Sequence, residues 1–126
     1  MNIYFKMYEY SIESNGWNAI DVTEIIGDTI RRSGFQNGLA HVFTPEKRCM
    51  VILIEYEPNL LYDLEEFMEK YKGSPGVLEG LLGKGVVAPF IRGSLDIGIF
   101  KRIVFIDFSR SSGEKEVIIS IEGSYD

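Results

Sequence analysis

Apolar positions along the chain change period several times, and each change marks an element. Residues 3–12, IYFKMYEYSI, mix β-branched and aromatic side chains with polar ones and predict a strand. SNG at 14–16 predicts a turn, and WNAI after it a short second strand that closes a hairpin. A helix follows, with Asp21 as its cap and Glu24 three residues on to complete a capping box. Ile25, Ile26 and Ile30 fall on roughly one face, and Gly34 after Arg31-Arg32-Ser33 suits a left-handed close.

GLAHVFT (38–44) reads as a strand entered through an Asn37-Gly38 turn. CMVILIEYE (49–57) is the most strand-like stretch, and the unbroken apolar run CMVILI predicts a central strand. Pro58 ends it. NLLYDLEEFMEKYK (59–72) is a second amphipathic helix, with Leu60, Leu61, Leu64, Phe67, Met68 and Tyr71 in one stripe. VLEGLL (77–82) is a turn or two of helix weakened by Gly80. GVVAPFI (85–91) is a strand whose proline places it at an edge or a bulge. IGIFKRIVFIDF (97–108) and KEVIISIEG (115–123) are strands on either side of a turn at SRSSGE. The sum is an α+β fold of mostly antiparallel β-sheets with two main helices, in one domain spanning 1–126.

Composition narrows the function classes. With 126 residues, 45% of them apolar and 25% charged, the chain has the ordinary globular mixture and enough length for a core. No apolar run approaches the roughly 18 residues of a membrane span, and the first residues lack signal-peptide order. A lone cysteine, Cys49, excludes an internal disulfide and suits a reducing, cytoplasmic setting. The net charge of −6 argues against nucleic acid, because the short basic pairs are not interleaved with stacking aromatics.

Few residues carry chemistry. His41 is the only histidine, so the usual two or three imidazoles of a transition-metal site are missing, and no metal or cofactor is expected. Cys49 opens an apolar strand as a small hydrophobe, although Lys47 and Arg48 could lower its pKa on a shared exposed face. GLLGKG (80–85) fails as a phosphate loop, having Leu78 where a glycine is needed and Gly85 where a hydroxyl is needed. Glu46, Glu55, Glu57 and Asp63 supply carboxylates, with Glu55 and Glu57 on one strand face by period two.

In order and offset the segments resemble the YjbQ-like family, also called secondary thiamine-phosphate synthases, from about residue 20 to 123. D-V-T at 21–23 resembles the family's D-I-T, followed by S-G-F at 33–35 and Gly38. V-F-T-P at 42–45 is similar to the strand end before the family's H-T-T/S-A signature, and Glu55, Pro58 and Asp63-Leu64 fall on its N-E…P and D-L. The latter half is closest: Gly83, Pro89, Gly93, Leu95 and Gly98 keep the family's spacing. Glu46 stands where the family has its first histidine, and Lys47-Arg48 replace the hydroxyl pair after it. Gly76-Val77-Leu78 correspond to the A-H-L of the second histidine, after a segment that is largely deleted between Tyr71 and Gly76. T-W-Q becomes Ile99-Phe100-Lys101.

The resemblance implies a homotrimer with sites near subunit interfaces. The replaced histidines imply a degenerate site without the family's thiamine-phosphate synthase activity, in a structural or small-ligand-binding subunit. A second expectation is an enzyme with a remodelled pocket for a small anionic ligand. There Lys47, Arg48 and Lys101 would bind a phosphorylated or acidic molecule, and Glu46 or Glu55 would act as acid or base. The two differ in geometry: the enzyme needs Glu46, Arg48 and Glu55 in one cleft. A third expectation, a mixed assembly with a paralogous subunit, fits a degenerate site equally well.

Overall fold

A computed structural model describes residues Met1–Asp126 as two antiparallel sheets and three helices. The strands are β1 (Tyr4–Ser14), β2 (Asn18–Asp21), β3 (Asn37–Phe43), β4 (Cys49–Glu55), β5 (Gly85–Ile91), β6 (Ser94–Leu95), β7 (Lys101–Asp107) and β8 (Gly113–Ser124). The helices are α1 (Thr23–Ser33), α2 (Pro58–Lys70) and α3 (Pro75–Leu82). One sheet has the order β1-β8-β3-β5-β6 and the other β2-β7-β4. The α+β class holds, with α3 as a third, short helix.

The layers follow from alternation. The inner face of the five-stranded sheet (Ala40, Val42, Ala88, Phe90, Val117, Ile119, Ile121) packs on α1 through Ile26 and Ile30. The same cluster takes Cys49, Val51, Ile103 and Phe105 from one face of the smaller sheet. From the other face of that sheet, Met50, Val104 and Ile106 pack on Met68 of α2 and Leu78 of α3. A Gly38–Gly123 cross-strand pair lets two strands approach under the Phe90 ring. A Cβ on Gly38 would lie 2.0 Å from the Glu122 carbonyl oxygen, so only glycine fits.

Several expectations change. The first two strands form no hairpin, since β1 pairs with β8 and β2 with β7 in different sheets. The capping box is absent: Val22 caps α1, Asp21 accepts from the Thr23 amide at 2.9 Å, and Glu24 lies in solvent. Arg102 competes for Asp21, bonding it at 2.7 Å and drawing the carboxylate toward β7. Asn37-Gly38 is no turn but the paired start of β3. The central strand of the smaller sheet is β7, not the apolar run at β4, whose outer half (Ile52–Glu55) is half-buried or exposed. Glu57 does not share a strand face with Glu55, because its carboxylate caps α2 by accepting from the Asn59 and Leu60 amides. Residues 97–100 precede β7 as irregular chain. Pro89 lies in β5, next to the two-residue edge strand β6.

Candidate functional site

The charged residues at the head of β4 are explained by a pairing problem. In the β3–β8 register Phe43 opposes Ile118, so two residues further on Pro45 opposes Glu116. Proline has no amide hydrogen, and the ladder stops there. Side chains replace it: the Thr44 hydroxyl donates to the Glu116 carbonyl at 2.8 Å, and Glu46 Oε2 accepts from the Glu116 amide at 2.7 Å. Glu46 therefore extends the sheet in place of the backbone.

Lys84, just before β5, completes the corner. Its ammonium donates to the Cys49 carbonyl at 2.6 Å and to the Glu46 carbonyl, and lies 4.0 Å from Glu79 of α3. The Glu79 carboxylate in turn accepts from the Arg48 amide. Arg48 needs that anchor, because its φ of 59° is the left-handed region that a bulky side chain seldom adopts. The Lys47 and Arg48 side chains are exposed.

Glu55 stands at the far end of β4, six steps and about 20 Å away along the strand. It faces its register partner Lys101 across 3.6 Å, both side chains roughly half-exposed. The structure brings Glu55 and Lys101 together but keeps both apart from Glu46, Lys47 and Arg48. Glu46, Arg48 and Glu55 share no cleft.

Below this corner lies a buried polar cluster. Asp107, 1% exposed at the end of β7, accepts from Ser14 at 2.6 Å and from the Ser109 amide at 2.9 Å, with Lys115 3.9 Å away. Burial pushes its carboxyl up, yet the hydrogen bonds from Ser14, Ser109 and Cys49 outweigh burial and hold it below the usual range. Cys49 donates its thiol proton to Asp107 at 3.4 Å, and burial with the Asp107 charge pushes that thiol up to about 12. A thiol held protonated in this way is no nucleophile at neutral pH. His41 lies elsewhere, on the outer face of the larger sheet, 3.2 Å from Glu122. No three His, Cys, Asp or Glu side chains converge as a metal-binding group.

Sequence reasoning missed Lys84 and Asp107. Lys84 stood only inside the failed phosphate loop, and its partners are backbone carbonyls that no residue pattern advertises. Asp107 followed an apolar run, as any strand-ending carboxylate does. No helix of the structure is long and apolar enough to cross a membrane.

Two antiparallel sheets with one helix between them and two outside, and a strand end locked by charges bonded to backbone, define the class: an α+β scaffold. The sequence model of the family described as UPF0047 protein YjbQ-like matches residues 8–76. The chain belongs to this family. A UPF0047 protein of Archaeoglobus fulgidus is 31% identical over 103 residues, covering 71% of this chain and 82% of the relative. One from Methanothermobacter thermautotrophicus is 25% identical over 118 residues, covering 82% of each. Among solved structures, a Clostridium acetobutylicum protein superposes with a TM-score of 0.83 at 25% identity, covering 92% of this chain and 98% of its own. A Sulfolobus solfataricus protein of unknown function has the same fold, with a TM-score of 0.79 at 21% identity and coverage of 98% and 99%. The family match lies mainly in the first half of the chain, whereas the motif spacing pointed to the second.

Proposed function

We propose that this chain is a subunit of a homo-oligomer, a homotrimer, that keeps the family scaffold with a degenerate site. One observation carries the assembly. The outer face of the five-stranded sheet bears Phe5 and Met7 of β1, Leu39 and Phe43 of β3, and Val87 and Ile91 of β5, from 37% to 62% exposed. Phe5, Leu39, Met7 and Val87 fall in two rows across the strands (Phe5–Glu122–Leu39–Pro89, then Met7–Ser120–His41–Val87), and no element of the chain covers this face. An exposed sheet face this rich in apolar side chains, with polar Glu122, Ser120 and His41 among them, suits a protein–protein interface. Copies of the same chain are the occupant this reading names.

The degenerate site is supported by what the charges at the head of β4 do. Glu46, Lys84 and Glu79 are engaged with backbone groups, which favours a structural corner over an acid–base pair. An anion at Lys47 and Arg48 would meet two cations whose side chains are exposed to solvent. The alternative of a remodelled enzyme has no comparable observation in its favour.

Native mass spectrometry with sedimentation tests the assembly. The expected result is a trimer mass for the wild type and a folded monomer for Met7→Glu/Val87→Glu, checked by circular dichroism. A monomeric wild type, or a double variant that stays trimeric, overturns the reading. A mixed mass after co-expression with a histidine-bearing paralogue would replace the homo-oligomer with a hetero-oligomer.

A further inference from the structure

A second feature lies on the opposite side of the molecule, between α2 and the β2–β7 side of the smaller sheet. The helix is fastened near both ends and only partly packed between them, where Leu64 touches the core of the smaller sheet. Near its start, the Tyr56 hydroxyl donates to the Ala19 carbonyl at 3.2 Å. Near its end, Arg110 bonds Glu69 at 2.6 Å while its guanidinium lies over the Trp17 ring, 4.2 Å from the centroid. Between these clamps a cavity of about 260 Å³ remains open, walled by Trp17, Leu61, Leu64 and Met68 and rimmed by Asn18 and Glu65. Of the 13 residues of α2 only Met68 is buried. A helix that buries so little of its apolar stripe leaves its contact with the sheet unfilled.

Size and charge name the ligand class. An apolar cavity of about 150 Å³ accommodates benzene, and drug-sized sites start near 300 Å³, so this one fits a single ring with a short arm. Glu65 is the charged group on its rim, and Asp63 and Glu66 add negative charge on the neighbouring exposed positions of α2. Asp107 also touches the cavity, but its carboxylate is already satisfied by Ser14, Ser109 and Lys115. The nearby cation, Arg110, is held by Glu69 and Trp17, so an anionic guest finds no free partner. We infer that the cavity under α2 binds a small aromatic ammonium compound, its ring against Leu61, Leu64, Met68 and Trp17 and its ammonium on the Glu65 carboxylate. This site is separate from the sheet face proposed for assembly and selects the opposite charge from Lys47 and Arg48.

Trp17 is the only tryptophan, so its emission reports on this cavity alone. The full-length protein is titrated with phenethylammonium, phenylacetate and 2-phenylethanol, with calorimetry as a second readout. The expected result is saturable binding of the ammonium probe, about five- to tenfold tighter than the alcohol, with phenylacetate weakest. Glu65→Gln removes the preference of ammonium over alcohol while leaving alcohol binding intact, and Leu64→Phe, which fills the cavity, weakens both. Phenylacetate binding as tightly as the ammonium, an unchanged preference in Glu65→Gln, or no saturable response to any probe overturns the inference. Because these readouts do not depend on subunit count, the assembly reading and this one fail separately.

Discussion

Replacing Lys84 by methionine tests the corner at the head of β4 most directly. Methionine keeps most of the apolar stem and removes the ammonium. Two carbonyls, of Glu46 and Cys49, then lose a charged donor, and Glu79 loses its cation 4.0 Å away. A hydrogen bond to a charged group is worth about 1.5–3 kcal/mol net, so two would set an upper range near 3–6. Two effects reduce that figure. The lysine side chain is 26% exposed, so water can reach some of the freed carbonyls, and its release returns rotamer entropy of up to about 2 kcal/mol. A net loss of about 2 kcal/mol remains. At roughly 4 °C per kcal/mol for a chain of this size, the melting midpoint falls by about 8 °C. Thermal melts at one fixed protein concentration measure it, because the midpoint of any protein that assembles depends on concentration. Glu79→Gln, which keeps an acceptor for the Arg48 amide but removes its charge and the longer ion pair, should cost about 1 kcal/mol. A Lys84→Met protein melting within about 1 °C of wild type would refute the backbone-directed role.

Two further outcomes follow from the buried cluster. Asp107 has a folded pKa below its unfolded value, so its stabilising effect is present above the ordinary carboxylate range and is lost as pH falls through the folded value. Urea melts from neutral pH downward should show wild-type stability falling below about pH 4, whereas Asp107→Asn loses about 3 kcal/mol at neutral pH and has a shallower acid slope; equal slopes contradict the assignment. Cys49, with its thiol raised to about 12, should react with iodoacetamide more than about a hundredfold slower in the native protein than in urea at mildly alkaline pH. Comparable rates in both would mean that the thiol is open to solvent.

Local periodicity made most elements legible. The stripe Leu60–Leu61–Leu64–Phe67–Met68 marked α2, Gly34 with φ 80° closed α1, and the alternation in KEVIISIEG matched β8. What stayed hidden is set by contacts remote in sequence. β1 and β2 are separated by one turn yet join different sheets, because β8, roughly a hundred residues later, supplies the partner for β1. The unbroken run CMVILI suggested burial on both faces, but β4 lies at the edge of its sheet, where Leu53 is 44% exposed. Periodicity reports how apolar a strand is and not which neighbour covers it. The same limit held at the site: Glu46, Lys47, Arg48, Glu55 and Lys101 were visible as charges, whereas the opposition of Pro45 to Glu116 needed the register.

That register changes how the charged triplet before the apolar run is understood. A strand end beside a proline leaves one amide and one carbonyl of the neighbouring strand without ladder partners, and such groups must find others when partly buried. Thr44 and Glu46 supply both, at positions on either side of the proline. The turn that follows passes through Arg48 in the left-handed region and frees further backbone groups, which Lys84, just before β5, and Glu79 of α3 take up. The charges directed at backbone are thus Glu46, Lys84 and Glu79, each from a different part of the chain, while Lys47 and Arg48 leave their side chains in solvent. The polar residues at this corner join β3, β8, β4, β5 and α3, and on the proposed reading they hold the scaffold where a catalytic strand end would otherwise need freedom to meet a substrate.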